Sequence, residues 1–145
     1  MKPIQLRLQA FGPFATSQTV DFFRVLDGGL FLIHGRTGSG KTSLLDGLCF
    51  SLFGRPSTAE REKDLRALRS DIADSSLATE TELVFTVGEE AFRVHRIPSQ
   101  LVPKKRGEGF TELKGSAELW RFHGPLPKEP TSLTSEIAKT ENWIP

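Results

Sequence analysis

The chain has 145 residues, 26% charged and 37% hydrophobic, with a formal net charge of +1, the profile of one globular domain rather than of a disordered or fibrous chain. A near-neutral charge carries no global attraction to nucleic acid or to a membrane surface, so any basic signal is local. Cys49 is the lone cysteine and excludes an internal disulfide; no apolar run approaches the roughly 18 residues of a membrane span, and the alternating start MKPIQLRLQAFG is no signal peptide, so a cytoplasmic location is expected.

In chain order, Ile4, Leu6 and Leu8 alternate with Gln5, Arg7 and Gln9, the period-two pattern of a half-buried strand. Phe11-Gly12-Pro13-Phe14 breaks it, and Thr19 to Phe23 reads as a second strand. Asp27-Gly28-Gly29 marks a turn before Leu30-Phe31-Leu32-Ile33, a continuous apolar run that predicts a strand covered on both faces. Leu44, Leu45, Leu48, Cys49, Leu52 and Phe53 recur at helical spacing until Gly54 and Pro56, which predicts a helix with Cys49 and its apolar stripe in the core. Residues Ser57 to Ile72 are charged and mostly helix-compatible, without a strong apolar stripe. Leu83, Phe85 and Val87, then Phe92 and Val94, predict a hairpin around Gly88-Glu89-Glu90. Lys104 to Gly109 reads as a loop before strands near Phe110–Leu113 and Ala117–Phe122, and Pro125, Pro127 and Pro130 punctuate a linker before a helix starting at Thr131 to Lys139.

Between the apolar run and the helix lies Gly35-Arg36-Thr37-Gly38-Ser39-Gly40-Lys41-Thr42, a match to the phosphate-binding pattern G-x-x-x-x-G-K-[ST]. Glycines at 35, 38 and 40 let successive N–H groups turn inward as an anion nest, and the helix beginning near Lys41 adds its positive end. Lys41 is expected to reach the β- and γ-phosphates and the Thr42 hydroxyl to ligate Mg²⁺, with Ser43 closing the loop. A random chain of this length would match on the order of once in a hundred or two. Hydrolysis needs an acidic residue at the end of an apolar strand as well, and none is found: Glu89 and Glu90 read as hairpin-tip charges. The D-x-x-G and N-K-x-D patterns of a GTPase do not occur. Arg61, Arg66 and Arg69 could imitate a kinase lid, but the hairpin after them does not suit that fold.

The opening MKPIQLRLQAFGPF with Val20-Asp21-Phe22, the segment GLFLIHGRTGSGKTSLLDGLCFSLFG, the run Glu60-Arg61 to Leu68-Arg69-Ser70-Asp71 with Ala73-Asp74, the strand Thr81 to Val87 and Phe92-Arg93-Val94-His95-Arg96 together resemble the N-terminal lobe of the SbcC component of SbcCD exonucleases, ABC-type ATPases related to SMC proteins. The resemblance covers roughly residues 1 to 122. It implies an α/β fold: a P-loop NTPase N-terminal lobe of ABC/SMC head type, with a mixed sheet around the phosphate-loop helix and an added β-hairpin region. Residues 1–122 are expected to form this lobe, and residues 123–145 a Pro-rich linker and the start of a helix, truncated before a coiled coil. It also implies ATP and Mg²⁺ as ligands, and a C-terminal lobe that would bring the signature motif and the catalytic glutamate. The implied partners are an SbcD-type nuclease, double-stranded DNA and a second head in a homodimer, at the nucleoid. The sequence shows no catalytic residue of its own, so binding is expected of this chain and turnover by it alone is not. Gln100, flanked by prolines, is a poor substitute for the family's glutamine loop.

Arg93, Arg96, Lys104, Lys105 and Arg106 follow one another without an acidic residue between them and form a candidate patch for DNA phosphates, set against an ordinary solvated loop. Arg61, Lys63, Arg66 and Arg69 read as a solvated helix face and His34 as a strand-end residue, while Phe110, Trp120 and Trp143 show no stacking pattern. The alternative functions are a truncated, non-hydrolysing ATP-binding remnant and an unrelated P-loop kinase.

Overall fold

Alternation at Ile4, Leu6 and Leu8 produces strand β1 (Lys2–Gln9), with all three side chains buried and their neighbours half-buried. The computed structural model describes residues 1–23, 30–57, 64–104, 106–124 and 143–144. Strands β2 (Gln18–Asp21), β3 (Glu80–Val87), β4 (Glu90–Ile97), β7 (Ser116–Phe122) and β8 (Trp143–Ile144) join β1 in one sheet of order β2-β1-β3-β4-β7-β8. Every pairing among these described strands is antiparallel. The expected hairpin forms between β3 and β4, where Gly88 takes φ +61°, a conformation open to glycine at little cost. Strands β5 (Gln100–Pro103) and β6 (Phe110–Leu113) pair as a separate ribbon.

The helix α1 (Lys41–Phe53) lies on one sheet face. Phe50 packs there with Leu6, Leu8, Phe11, Phe22, Leu68, Leu83 and Val94, flanked by Leu44, Leu48 and Leu52. Gly47 is the close-approach point, since a Cβ there would lie 2.6 Å from Leu8 Cδ2. Cys49 is only half-buried and Leu45 and Phe53 are exposed, so the helical stripe enters the core in part. The opposite face carries a smaller cluster of Val84, Ala91 and Phe122, which Ile4 joins at the irregularity between Pro3 and Gln5 in the β1–β3 register. Beside it Arg7 Nη1 meets Glu80 Oε1 at 3.0 Å, and His95 Nε2 meets Glu80 Oε2 at 3.1 Å.

Two expectations are corrected. Leu30–Ile33 is not a doubly covered strand: Leu30 and Leu32 are 88% and 83% exposed. An apolar run becomes a strand only where a neighbour satisfies its N–H and C=O groups, and no described strand pairs with this one. The stretch from Asp64 to Ile72 is not helical beyond a four-residue 3₁₀ turn, Leu65–Leu68. Its backbone is drawn to the loop after β1 instead: Gly12 N donates to Leu68 O at 2.8 Å and Ser70 N to Ala10 O at 2.9 Å. The expected linker prolines and the helix at 131–139 lie outside the described residues, as do Arg61 and Lys63. Trp143–Ile144 does pair with Arg121–Phe122, so those two residues return to the sheet edge.

Candidate phosphate-binding site

Helix α1 begins without a side-chain cap. Its N-cap is Gly40, at φ 89° and ψ 9°, and no acidic residue occupies the first turn. A helix start leaves several N–H groups without intrahelical partners, and here they border a cavity of about 470 Å³ lined by Pro13, Thr37, Gly38, Gly40, Lys41, Thr42 and Ser43. No Asp or Glu is among those residues. The loop closes on itself: Ser39 N donates to Arg36 O at 3.2 Å, and Lys41 Nζ donates to Gly35 O at 2.8 Å and Arg36 O at 2.7 Å. The ammonium therefore arches back over the turn. Thr42 is exposed and Ser43 buried. Thr37, Gly38, Gly40, Lys41, Thr42 and Ser43 thus line one cavity, with Gly35 and Arg36 held to it through Lys41. The donor set suits a phosphate chain: N–H groups at a positive helix end, an ammonium and a hydroxyl.

A second wall was not foreseen. The turn after β1 presses Pro13 and Phe14 against the glycine loop, so that a Cβ on Gly40 would lie 2.8 Å from Phe14 Cζ and 3.0 Å from Pro13 Cγ. One on Gly12 would lie 2.8 Å from Ser43 Oγ. Phe11 and Phe14 exchange two backbone hydrogen bonds of 3.0 Å. Buried Ala10 holds φ +47°, a strained value for a residue with a Cβ, and its carbonyl accepts from Ser70 N and from Thr79 Oγ1 at 3.0 Å. The Gly12-Pro13 pair at a strand end was the signal for this turn; its role as a wall depends on a contact some 25 residues away along the chain, far beyond the few turns that local patterning spans.

The four described cations of the candidate patch do not converge. Arg93 and Arg96 stand three apart on β4, hence on opposite sheet faces. Arg93 lies over the Trp120 ring, 4.4 Å from its centroid. Arg96 reaches the helix face, donating from Nε to Ser51 O at 3.2 Å and from Nη2 to Leu52 O at 3.5 Å. Lys104 and Arg106 are exposed in the β5–β6 loop, and Lys105 lies outside the described residues. Gln100 is buried and committed, accepting from Thr79 N at 2.7 Å and donating to Thr79 O at 2.8 Å. His34 is exposed and not in a strand. No cluster of three or more metal-ligating side chains occurs among the described residues, and no helix there is long and apolar enough to cross a membrane.

A family model described as an AAA domain matches residues 5–123. The SbcC component of the nuclease SbcCD from Vibrio cholerae is 44% identical over 119 residues, which are 82% of this chain and 12% of that protein. The SbcC component from Lactococcus lactis is 38% identical over 119 residues, 82% of this chain and 11% of that protein. That from Treponema pallidum is 38% identical over 126 residues, 78% of this chain and 12% of that protein. The chain thus matches 11–12% of the length of these relatives.

Proposed function

Since the chain belongs to the AAA domain family and is similar to SbcC of the nuclease SbcCD, we propose that it is the ATP-binding N-terminal lobe of an SbcC-like DNA double-strand-break repair ATPase that controls an SbcD-type nuclease. The observation that carries this reading is the uncapped start of α1 facing a cavity that Lys41 can enter. On ATP binding, Lys41 gives up the Gly35 and Arg36 carbonyls for the β- and γ-phosphates, and the N–H groups of Gly38 to Ser43 take the remaining phosphate oxygens. The Thr42 hydroxyl would help hold the Mg²⁺ that accompanies the nucleotide, which would supply charge neutralisation of the phosphates. Pro13 bounds the cavity beside the Gly40 N-cap.

Phosphate and metal binding are what these residues supply. Activation of water requires a carboxylate, which none of the described residues lining the cavity provides; a C-terminal lobe and a second head in a homodimer are its proposed sources. Lys104, Lys105 and Arg106 are proposed to contact duplex phosphates from the β5–β6 loop at a nucleoid-associated, cytoplasmic site, with Arg93 and Arg96 held to their places in the sheet. The lack of a carboxylate among the described lining residues also favours the second reading, an ATP-binding unit without turnover of its own. Titration with a fluorescent ATP analogue tests the proposal: binding depends on Mg²⁺, Lys41→Ala removes most of it, and the chain alone releases no phosphate. Sustained turnover by the chain alone would overturn the composite-site reading, and affinity indifferent to Lys41→Ala would overturn the ATP site.

A further inference from the structure

A second cavity, of about 320 Å³, lies between the 3₁₀ turn and the β5–β6 ribbon, lined by Arg66, Arg69, Gln100, Leu101 and Phe110. Its apolar walls are displayed to solvent: Leu101 is 53% and Phe110 59% exposed. Phe110 pairs with Pro103 across the ribbon and Leu101 with Glu112. Leu101, Pro103 and Phe110 therefore share one face. The Arg69 guanidinium is fixed by Leu77 O at 2.6 Å, Asp74 O at 2.8 Å and Thr79 Oγ1 at 3.3 Å. Arg66 is exposed and bonded to Asp64 within its own turn, by Nε at 3.0 Å. Of the carboxylates nearby, Asp64 is engaged by Arg66 and Glu112 by the Ser99 hydroxyl at 2.9 Å, while Glu108 is exposed in the β5–β6 loop. The loop that begins at Phe110's own partner strand carries Lys104 and Arg106 and is closed by Lys104 N donating to Gly109 O at 3.0 Å.

An exposed aromatic ring beside guanidinium groups, with two further cations on the adjoining loop, suits a ligand that is planar and apolar at one point and anionic around it. Single-stranded nucleic acid has that form, and its recognition relies on aromatic stacking within a basic setting. In the interior of a duplex the bases are already stacked on both faces, so a blunt duplex offers such a ring only its two terminal pairs, whereas every base of a single strand is open to it. We infer that the Arg66–Arg69–Leu101–Phe110 cavity receives an unpaired nucleotide, with Phe110 as its stacking surface and Arg66, Lys104 and Arg106 on the flanking phosphates. The inference rests on the DNA role proposed for the β5–β6 loop and adds to it a preference for unpaired ends.

The test is fluorescence anisotropy of the full 145-residue chain with labelled oligo(dT) of about twelve nucleotides and with a blunt duplex. Oligo(dT) binds more tightly than the duplex. Phe110→Ala weakens oligo(dT) about tenfold, as one lost stacking contact requires, and leaves duplex affinity unchanged. Phe110→Trp retains binding, and its emission is quenched by oligo(dT). Lys104→Ala with Arg106→Ala weakens both probes. Oligo(dT) affinity that ignores Phe110→Ala, or Trp emission that ignores oligo(dT), would overturn the stacking site and leave the cavity to a peptide partner. If the double variant also changes neither probe, the DNA role of the loop falls with it.

Discussion

The two ends of helix α1 are built in opposite ways. At the N-terminus no side chain caps the first turn; the N-cap is a left-handed glycine and Lys41 turns back onto carbonyls of its own loop. At the C-terminus the carbonyls and the side chains around them are met several times over. Gly54, at φ 72°, donates its N–H to Phe50 O, while Arg96 covers the carbonyls of Ser51 and Leu52. The Ser51 hydroxyl bonds Thr81 Oγ1 of β3 at 2.9 Å, and further back, in the middle of the helix, buried Asp46 accepts from Ser57 N and Oγ just past that end at 3.0 and 2.5 Å. Unmet polar groups cost free energy that a fold recovers with caps or leaves for a ligand. The closed end is where the fold is held; the open end is where the proposed nucleotide would complete it.

This contrast breaks most readily at Lys41. Lys41→Ala is expected to lower ATP affinity about 10–100-fold, the scale of a hydrogen-bonded charge, while the melting temperature stays put because the side chain bonds carbonyls of its own exposed loop. Nucleotide titration and thermal melting of one sample check both halves. Next come the glycines. Gly40→Ala must accept φ +89° and a Cβ 2.8 Å from the Phe14 ring, and its expected loss of affinity is about tenfold. Gly38→Ala meets a similar φ of +84° with nothing within 4 Å, so only the backbone cost remains and the loss is smaller. Equal losses would mean that Pro13 and Phe14 yield freely and are no wall.

The closed end inverts the pattern. Arg96→Ala is expected to cost about 1 kcal/mol of stability, the range for a cation at a partly buried helix C-terminus, or roughly 4 °C in a thermal melt. ATP and DNA affinities should not move, since the guanidinium is committed to the Ser51 and Leu52 carbonyls. A variant that melts normally yet loses DNA would return Arg96 to the nucleic-acid surface.

How much of this was legible differs by the range of the interaction that decides each piece. The strand β1, the β3–β4 hairpin and α1 with its glycine stop follow from local periodicity and turn chemistry, and the glycine loop from a spacing that only phosphate binding explains well. Leu30–Ile33 failed because apolar character states a need for burial and not whether a partner strand is there to meet it. Residues 64–72 failed because long-range bonds to Ala10 and Gly12 outweigh a local charge pattern. The separation of Arg93 from Arg96 was readable, since residues three apart on a strand cannot share a face; counting cations without counting parity hid it. Phe110 gave no signal, because neither its exposure nor its nearness to Arg66 and Arg69 is a property of its own neighbourhood in sequence.

The smallest expected effect lies away from both helix ends, in the Asp74 turn that fixes Arg69. Asp74 Oδ1 accepts from Ser76 Oγ at 2.6 Å and Ser76 N at 2.8 Å, and its carbonyl accepts from Arg69 Nη2. The Ser76 hydroxyl, then the Ser76 N–H and the nearby Arg69 charge, hold the Asp74 carboxyl below its ordinary range. A depressed carboxylate binds fewer protons folded than unfolded, so its contribution is whole above the unfolded pKa and is lost as pH falls through the folded one. Nothing therefore changes between neutral pH and the upper edge of carboxylate titration; below it, the wild-type melting temperature should fall slightly faster than that of Asp74→Asn, which has no charge to lose. Because Asp74 is fully exposed, solvent keeps the difference small. Melting curves of the two proteins across the acid range would show their separation at neutral pH narrowing on acidification; a separation that widens would mean the turn is held by something other than the ionised carboxylate.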